Sequence, residues 1–351
     1  MLDIAFYMKV HDLRKELDAE KKYSKEFLEA KFEELRNKQP VIYNIETTNS
    51  CNMSCKMCPR TTLMTRPIVT IDRETFINVV DQIKPHSNEL WAKWVKFVES
   101  EYGIKENDAS ENHFFLYIIS KTIQLHGYGD PLLDKNIADY VKILSDRGFY
   151  SYFSCNPANI NLEKTYEIMH SGLDYLKYSI ESVDDKIHKE VRGEASNFQT
   201  SYEKILKVLE YKKTHQLKTT IVITMIDLNR THQKEDYDKL RNAFKDLDIY
   251  LYLKSENGQW YRNNYHQNKS VHWSELCKHP WMTMTVLANG TATMCPEDYD
   301  AKVTLGNTKE ESLYDIWNGE KYAKFRKDHF DVNTSIKCRC ECDMKLIGNY
   351  L

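Results

Sequence analysis

The 351-residue sequence has no apolar run approaching the ~18 residues that a membrane-spanning helix needs. Its mean hydropathy is −0.63, so no membrane partner is expected. Met1-Leu2-Asp3-Ile4-Ala5-Phe6 is not a basic region followed by a long apolar stretch, which argues against a secretory signal. Charge of one sign is also lacking: 49 basic residues stand against 52 acidic ones, a net of −3. No basic field is available for nucleic acid. The length suits one large domain and a small one, enough to bury a substantial core. Cysteine is not scarce, and its distribution is informative. The nine cysteines are clustered rather than scattered, which reads as metal ligation in a reducing cytosol rather than as a disulfide framework. The expected compartment is the cytoplasm.

The densest cluster is Cys51-Asn52-Met53-Ser54-Cys55-Lys56-Met57-Cys58, directly after a strand-like run from Val41 to Thr48. Thiolates at CxxxCxxC spacing can each bind one iron of a cubane 4Fe–4S cluster. With no fourth cysteine nearby, one iron stays open to a small molecule. The alternative is a zinc knuckle, but such sites present four protein ligands, commonly as CxxC or Cys/His pairs. Pro59 and Arg60 follow here, with no close histidine.

The spacing, with Met57 before its last cysteine, resembles the radical S-adenosylmethionine (radical SAM) superfamily. The resemblance implies that the open iron chelates S-adenosylmethionine. It also implies that an electron from the cluster breaks the sulfonium bond, giving a 5′-deoxyadenosyl radical that takes a hydrogen atom from substrate. An external electron donor such as flavodoxin or ferredoxin is then required.

Further motifs are similar to the same family. Ile119–His126 reads as a strand running into Gly127-Tyr128-Gly129-Asp130-Pro131-Leu132, about seventy residues after the cysteines. This resembles the family's "GGE" element, whose backbone lines the S-adenosylmethionine amino group. Glycine permits close backbone approach, and Asp130 stands where glutamate is commoner. His126 borders this element and is expected to be a strand residue with a satisfied imidazole. Tyr178-Ser179-Ile180-Glu181 and Val191-Arg192-Gly193 resemble an "SID…RG" pattern. Through the resemblance, Met57, Gly127, Tyr128, Gly129, Asp130, Asn156, Ser179, Glu181 and Arg192 are candidate cofactor-binding residues. Ser179 would meet the ribose or carboxylate, and Arg192 a carboxylate. The plain readings are a polar strand end, a surface arginine and, for Asn156, a turn cap.

The rest of the chain alternates strands and helices. A charged helical segment covers 11–38, with Leu28, Phe32 and Leu35 along one face, and ends at Pro40. Asp72 reads as an N-cap for a helix carrying Phe76, Val79, Val80 and Ile83. Residues 86–118 interrupt the rhythm with an amphipathic helix around Trp91, Trp94, Val95 and Val98, then a polar loop. Strands are expected at 149–155, 174–181, 219–226 and 249–254. Helices are expected at 162–169, around Ile205, Val208 and Leu209, and around Tyr237, Leu240, Phe244 and Leu247. Alternation implies parallel strands with right-handed crossovers, and with the resemblance an α/β fold: a partial (β/α)6 TIM-like barrel. The expected organisation is an N-terminal helical extension over 1–40, a barrel over 41–255 with an insertion at 86–118, and a small C-terminal domain over 256–351.

In that last region Cys277-Lys278-His279-Pro280-Trp281 precedes two alternating runs joined by Asn289-Gly290, a strong hairpin signal. Cys295 follows, and Cys338, Cys340 and Cys342 close the set. The pattern resembles SPASM and twitch domains, which hold auxiliary Fe–S clusters. A full SPASM domain has seven cysteines, whereas this region has five. The resemblance therefore implies one auxiliary 4Fe–4S cluster and a spare thiol, leaving open which two of the last three bind. A structural zinc is the alternative.

The resulting expectation is a radical SAM oxidoreductase. It would abstract a hydrogen atom from a carbohydrate or aminocyclitol-type substrate for oxidation, with the auxiliary cluster as electron acceptor. Two alternatives stand beside it: a peptide-modifying maturase performing crosslinking or epimerisation, and a non-catalytic Fe–S or zinc protein on the same fold. Cys155, outside both clusters' stretches at a strand end, is a candidate hydrogen donor should the outcome be epimerisation.

Overall fold

The computed structural model describes residues 1–17, 23–256 and 276–331, together with Cys338 and Cys342. Nine strands among these residues form a single sheet: β1 (Ile42–Ile45), β2 (Thr122–Gln124), β3 (Tyr150–Cys155), β4 (Tyr175–Ser179), β5 (Thr220–Asp227), β6 (Tyr250–Ser255), β7 (Met284–Val286), β8 (Thr291–Thr293) and β9 (Gly306–Asn307). Their order is β6-β5-β4-β3-β2-β1-β7-β8-β9. The first six pair in parallel, as the β/α alternation requires. All four residues of β1 are buried, because helices cover a parallel sheet and leave it no wet face.

Local sequence explains the helices around this sheet. Arg73–Asp81 starts where the Asp72 carboxylate accepts the Thr75 amide at 2.7 Å, and it buries Phe76, Val79 and Val80. Phe198–Thr214 is capped by Asn197 and buries Phe198, Ile205 and Val208. The helix expected within 86–118 runs over Asn88–Tyr102. Trp94 is buried there, its indole N–H donating to the Leu116 carbonyl at 2.7 Å. No helix among the described residues is long and apolar enough to cross a membrane.

Three expectations need correction. The run Ile119–His126 is not one strand. Phe114–Ile119 is a π-helical turn with all six side chains buried, and β2 spans only Thr122–Gln124. The apolar run Phe114–Ile119 carries no periodicity to tell helix from strand, so the residue expected to start the strand, Ile119, falls in the turn instead. The N-terminal segment is two helices, Ile4–Glu16 and Lys25–Leu35, the first beginning before residue 11. Phe244 and Leu247 fall beyond their helix, which spans Gln233–Ala243. The hairpin around Asn289-Gly290 joins the barrel sheet. β7 pairs in parallel with β1, Ile42 opposite Met284 and Ile45 opposite Val286. It thereby covers an edge that the six barrel strands would leave open. β8 and β9 continue the sheet antiparallel.

Candidate functional site

A cavity of about 270 Å³ opens at the C-terminal ends of the barrel strands, and Cys51, Cys55 and Cys58 line it, as the position after β1 predicts. The cysteine loop is held by its backbone. The Lys56 amide donates to the Val191 carbonyl at 3.0 Å, and the Asp130 amide to the Ser50 carbonyl at 2.8 Å. Gly193 has φ +100°, and a Cβ there would come within 2.4 Å of Ser54 Oγ. This tie joins the loop to the helix Asp185–Arg192, an element that periodicity did not reveal. Burial raises the Cys51 thiol and pushes Cys58 up to about 12, so both need a bound cation to persist as thiolates.

The donor set fits a multinuclear cluster. Three thiols share one cavity wall. Yet among the described residues no three Cys, His, Asp or Glu side chains converge closely enough for a single ion. A 4Fe–4S cluster takes one thiolate per iron, and three thiols on one wall can supply three of them. Met57 packs beside Cys55 with Val191, Ile226 and Leu228, an apolar wall against the thiols.

The glycine loop approaches the cysteine loop too closely for side chains. A Cβ on Gly129 would lie 2.2 Å from the Thr48 carbonyl oxygen, and one on Gly127 2.4 Å from Glu46 Oε1. Glu46 is fully buried and was not anticipated from sequence. It accepts from Arg66 Nη1 at 2.6 Å, the Tyr128 amide at 3.2 Å and the Ala288 amide at 3.1 Å. One carboxylate therefore joins β1, the glycine loop and the hairpin. The Tyr128 hydroxyl reaches the C-terminal region, donating to Glu297 at 2.9 Å.

The other candidate residues are placed as follows. Asp130 lines the cavity but is buried. Its carboxylate accepts from the Leu132 and Asn156 amides and from Asn159 Nδ2, at 3.0, 2.9 and 2.8 Å. Burial nonetheless raises its pKa. Asn156 Oδ1 caps the Ala158 amide, the turn role foreseen as its plain reading, and its Nδ2 donates to Ser196. Ser179 lies 3.4 Å from Ser154, hydroxyl to hydroxyl. Arg192 lines the cavity and is ion-paired with Glu181, which is fully buried and also accepts the Ile226 amide. Burial opposes the Arg192 charge, but Glu181 and the Cys55 sulfur 3.8 Å away hold its pKa above the ordinary value. Cys155 is also in the cavity wall, its thiol 3.7 Å from the Lys177 carbonyl, and burial raises it well above the ordinary range.

A second chamber of about 180 Å³ shares His126, Gly127, Tyr128, Lys177, Lys254 and Glu297 with the first. Tyr43, Tyr152, Tyr252 and Phe114 supply its aromatic walls, with Glu111 and Gln124 among its polar groups. His126 Nδ1 accepts the Ser154 amide at 3.3 Å, so the imidazole has its expected partner. Burial, then Lys177 and Lys254, lowers its pKa to about 3, leaving it neutral. Neither lysine was singled out in the sequence, although Lys177 interrupts an otherwise apolar and aromatic strand, a usable signal.

Pro296 and Glu297, lining this chamber, directly follow Cys295. Burial raises the Cys295 thiol first, with Glu297, Cys342 and Cys277 raising it further. Cys277 and Cys342 thus both act electrostatically on Cys295, and Cys295 and Cys338 pack against the same main core. Cys340 lies outside the described residues.

Two family models match the chain: the radical SAM superfamily over residues 111–241, and the iron-sulfur cluster-binding SPASM domain over 277–343. The S-adenosyl-L-methionine-dependent 2-deoxy-scyllo-inosamine dehydrogenase of Niallia circulans is 32% identical over 94 residues. That stretch is 26% of this chain and 37% of the relative, so the match spans little more than a third of the dehydrogenase. Three solved structures share the fold at low identity. BtrN in complex with AdoMet and 2-DOIA is 15% identical, covering 89% of this chain and 99% of its own, with a TM-score of 0.50. For anSMEcpe with bound AdoMet the values are 14%, 88%, 91% and 0.52. For Streptococcus suis SuiB bound to S-adenosylmethionine they are 12%, 85%, 70% and 0.54.

Proposed function

The chain is a radical SAM protein of the SPASM/twitch subgroup, and from that premise we propose that it oxidises a carbohydrate or aminocyclitol-type substrate. The observation that carries this reading is the second chamber. It shares six lining residues with the cysteine-lined cavity, and Pro296 and Glu297, which follow Cys295, are part of its wall. The partial match to an aminocyclitol dehydrogenase supports the substrate class. In this reading Cys51, Cys55 and Cys58 hold a 4Fe–4S cluster. Cys277, Cys295 and two of the closing thiols hold an auxiliary one. When bound, the first cluster and S-adenosylmethionine supply the hydrogen-abstracting radical, and the auxiliary cluster supplies an electron acceptor.

Converting an alcohol to a carbonyl removes one hydrogen atom, one proton and one electron. The chain's own residues orient the alcohol and receive the proton. Glu111 Oε1 is buried beside the chamber with no hydrogen-bond donor among the described residues, while Oε2 is held by the Ser255 amide at 3.0 Å. It is the proton acceptor in this scheme. Neutral His126 turns its Nε2–H donor away from Ser154, available to orient a substrate oxygen. Aromatic walls exclude water from the reacting carbon.

The test is anaerobic. Reduced protein and S-adenosylmethionine are incubated with separate pools of nucleotide sugars, aminocyclitols and short peptides. The sugar or aminocyclitol pool is expected to raise 5′-deoxyadenosine output, and a response confined to peptides overturns the substrate reading. With the responding substrate in hand, Cys155→Ala should leave product formation nearly unchanged. An epimeric product carrying solvent deuterium, lost in that variant, would assign Cys155 the hydrogen-donor role instead.

A further inference from the structure

Two lysines face the junction of the cavities from different strands, Lys177 in the middle of β4 and Lys254 near the end of β6. Both line both cavities. Lys177 is only 8% exposed. Among the described residues its ammonium has no hydrogen bond or ion pair, and its close neighbours are the faces of Phe114 at 5.3 Å and Tyr152 at 5.4 Å. Lys254 likewise has no ion pair among the described residues. The charged groups around Lys177 are Lys254, Arg192, Glu111 and the Cys155 thiol. Arg192 already belongs to Glu181, and one Glu111 oxygen to the Ser255 amide.

Buried cations are ordinarily paired, because removing a charge from water is costly unless an opposite charge replaces the lost hydration. Here two lysines line one space, Lys177 buried and Lys254 partly buried, and among the described residues neither has an ion-pair partner. We propose that Lys177 and Lys254 form the receptor for an anionic group, carboxylate or phosphate, carried by the substrate. The proposal rests on the reading of this chamber as the substrate site and narrows it: of the carbohydrate class, the substrate is an acidic member. Burial lowers the Lys177 pKa well below its ordinary value, with Lys254 and Arg192 adding to the effect. An arriving anion reverses that balance, so binding takes up a proton.

Calorimetry on the anaerobically reconstituted, S-adenosylmethionine-loaded full chain tests this. The probes are inorganic phosphate, acetate, glucose 6-phosphate and glucuronate, with glucose and glucosamine as uncharged and cationic controls. The expected result is that at least one anionic sugar binds tenfold or more tightly than glucose, with proton uptake seen as a buffer-dependent heat. Glucose 6-phosphate against glucuronate then separates phosphate from carboxylate. Lys177→Met should lose at least tenfold in that affinity, and Lys177→Arg, which keeps the charge, should recover most of it. Melting temperatures of both variants identify any loss of fold, and Lys254→Met supplies the second arm. Binding of none of the four anions, or anion binding unchanged in both Met variants, overturns the proposal. If inorganic phosphate or acetate binds through the lysines but neither acidic sugar gains on it, the anion receptor stands and the carbohydrate reading fails.

Discussion

Gly129 concentrates the constraints of the site at a single residue. Its missing Cβ would sit 2.2 Å from a backbone oxygen, which cannot swing aside as a side chain can. Gly129→Ala must therefore separate the glycine loop from the end of β1. Overpacking of this kind costs about 1–3 kcal/mol. Because the displaced backbone lines the cavity, S-adenosylmethionine binding should fall more than stability does. Parallel denaturation and binding measurements would reveal equal losses if the loop served packing alone. Arg192 makes the converse case, a residue whose charge is partly committed before any ligand arrives. Arg192→Ala leaves the Glu181 carboxylate buried and alone, a change that typically costs about 3–5 kcal/mol. A lost charge-assisted contact also predicts S-adenosylmethionine binding weaker by roughly tenfold to a hundredfold. Glu181→Gln in the same chain separates the two effects. Stability should return and affinity should not, whereas recovery of both would make Arg192 a purely structural partner.

At the scale of elements, the helix Asp185–Arg192 supports the cavity through one imidazole. His188 Nδ1 accepts the Glu181 amide at 3.2 Å, and Nε2 pairs with Ser196 Oγ at 2.7 Å. Ser196 in turn contacts Asn156. The arrangement requires a neutral ring, and burial first, then Arg192, lowers its pKa to about 4. An unfolded chain would titrate this histidine near ~6.5. Above that value both states are neutral and the group adds no pH dependence. As the pH falls from ~6.5 towards 4, the unfolded state gains a proton that the folded state refuses, and stability is lost. The loss reaches up to about 3 kcal/mol at the low end. Anaerobic urea unfolding at pH 7 and pH 5 should show a smaller midpoint difference in His188→Asn than in the parent. Equal differences would show that His188 is not the titrating group. Ile4–Glu16, Asn88–Tyr102 and the π-helical turn form a separate apolar cluster around Trp94 and Tyr7. Its members Tyr43, Phe114, Tyr152 and Tyr252 also wall the second chamber, so this packing supports the candidate substrate site.

For the whole molecule, the continuous sheet makes the barrel and the C-terminal hairpin one mechanical unit, with Glu46 as the joint. Reconstituted protein should carry about eight irons per chain, four for each thiol group. Replacing Cys51, Cys55 and Cys58 together by alanine should remove half the iron and all S-adenosylmethionine cleavage. Iron analysis and 5′-deoxyadenosine release check both, and cleavage surviving in the triple variant would contradict the assignment of these thiols.

What the sequence determined by itself was whatever depends on near neighbours. Cluster-type spacing in Cys51–Cys58, the Gly127–Asp130 loop, the Asp72 cap and the Asn289-Gly290 hairpin each involve residues close enough in the chain for composition to specify geometry. The β/α rhythm belongs with them, because 2-residue and 3.6-residue periods are local. The tertiary structure alone decided the rest. Glu46 meets Arg66 and Ala288, Glu181 meets Arg192, and β7 docks on β1. Lys177 shares a chamber with Lys254 and Glu297. These pairings close loops of different lengths, and no local pattern encodes the partner. Whether Asp130 offers its charge to a ligand or spends it on three protein donors is likewise a matter of burial and neighbours. Sequence spacing does not carry that information, because the cost of a buried charge depends on what the fold places around it.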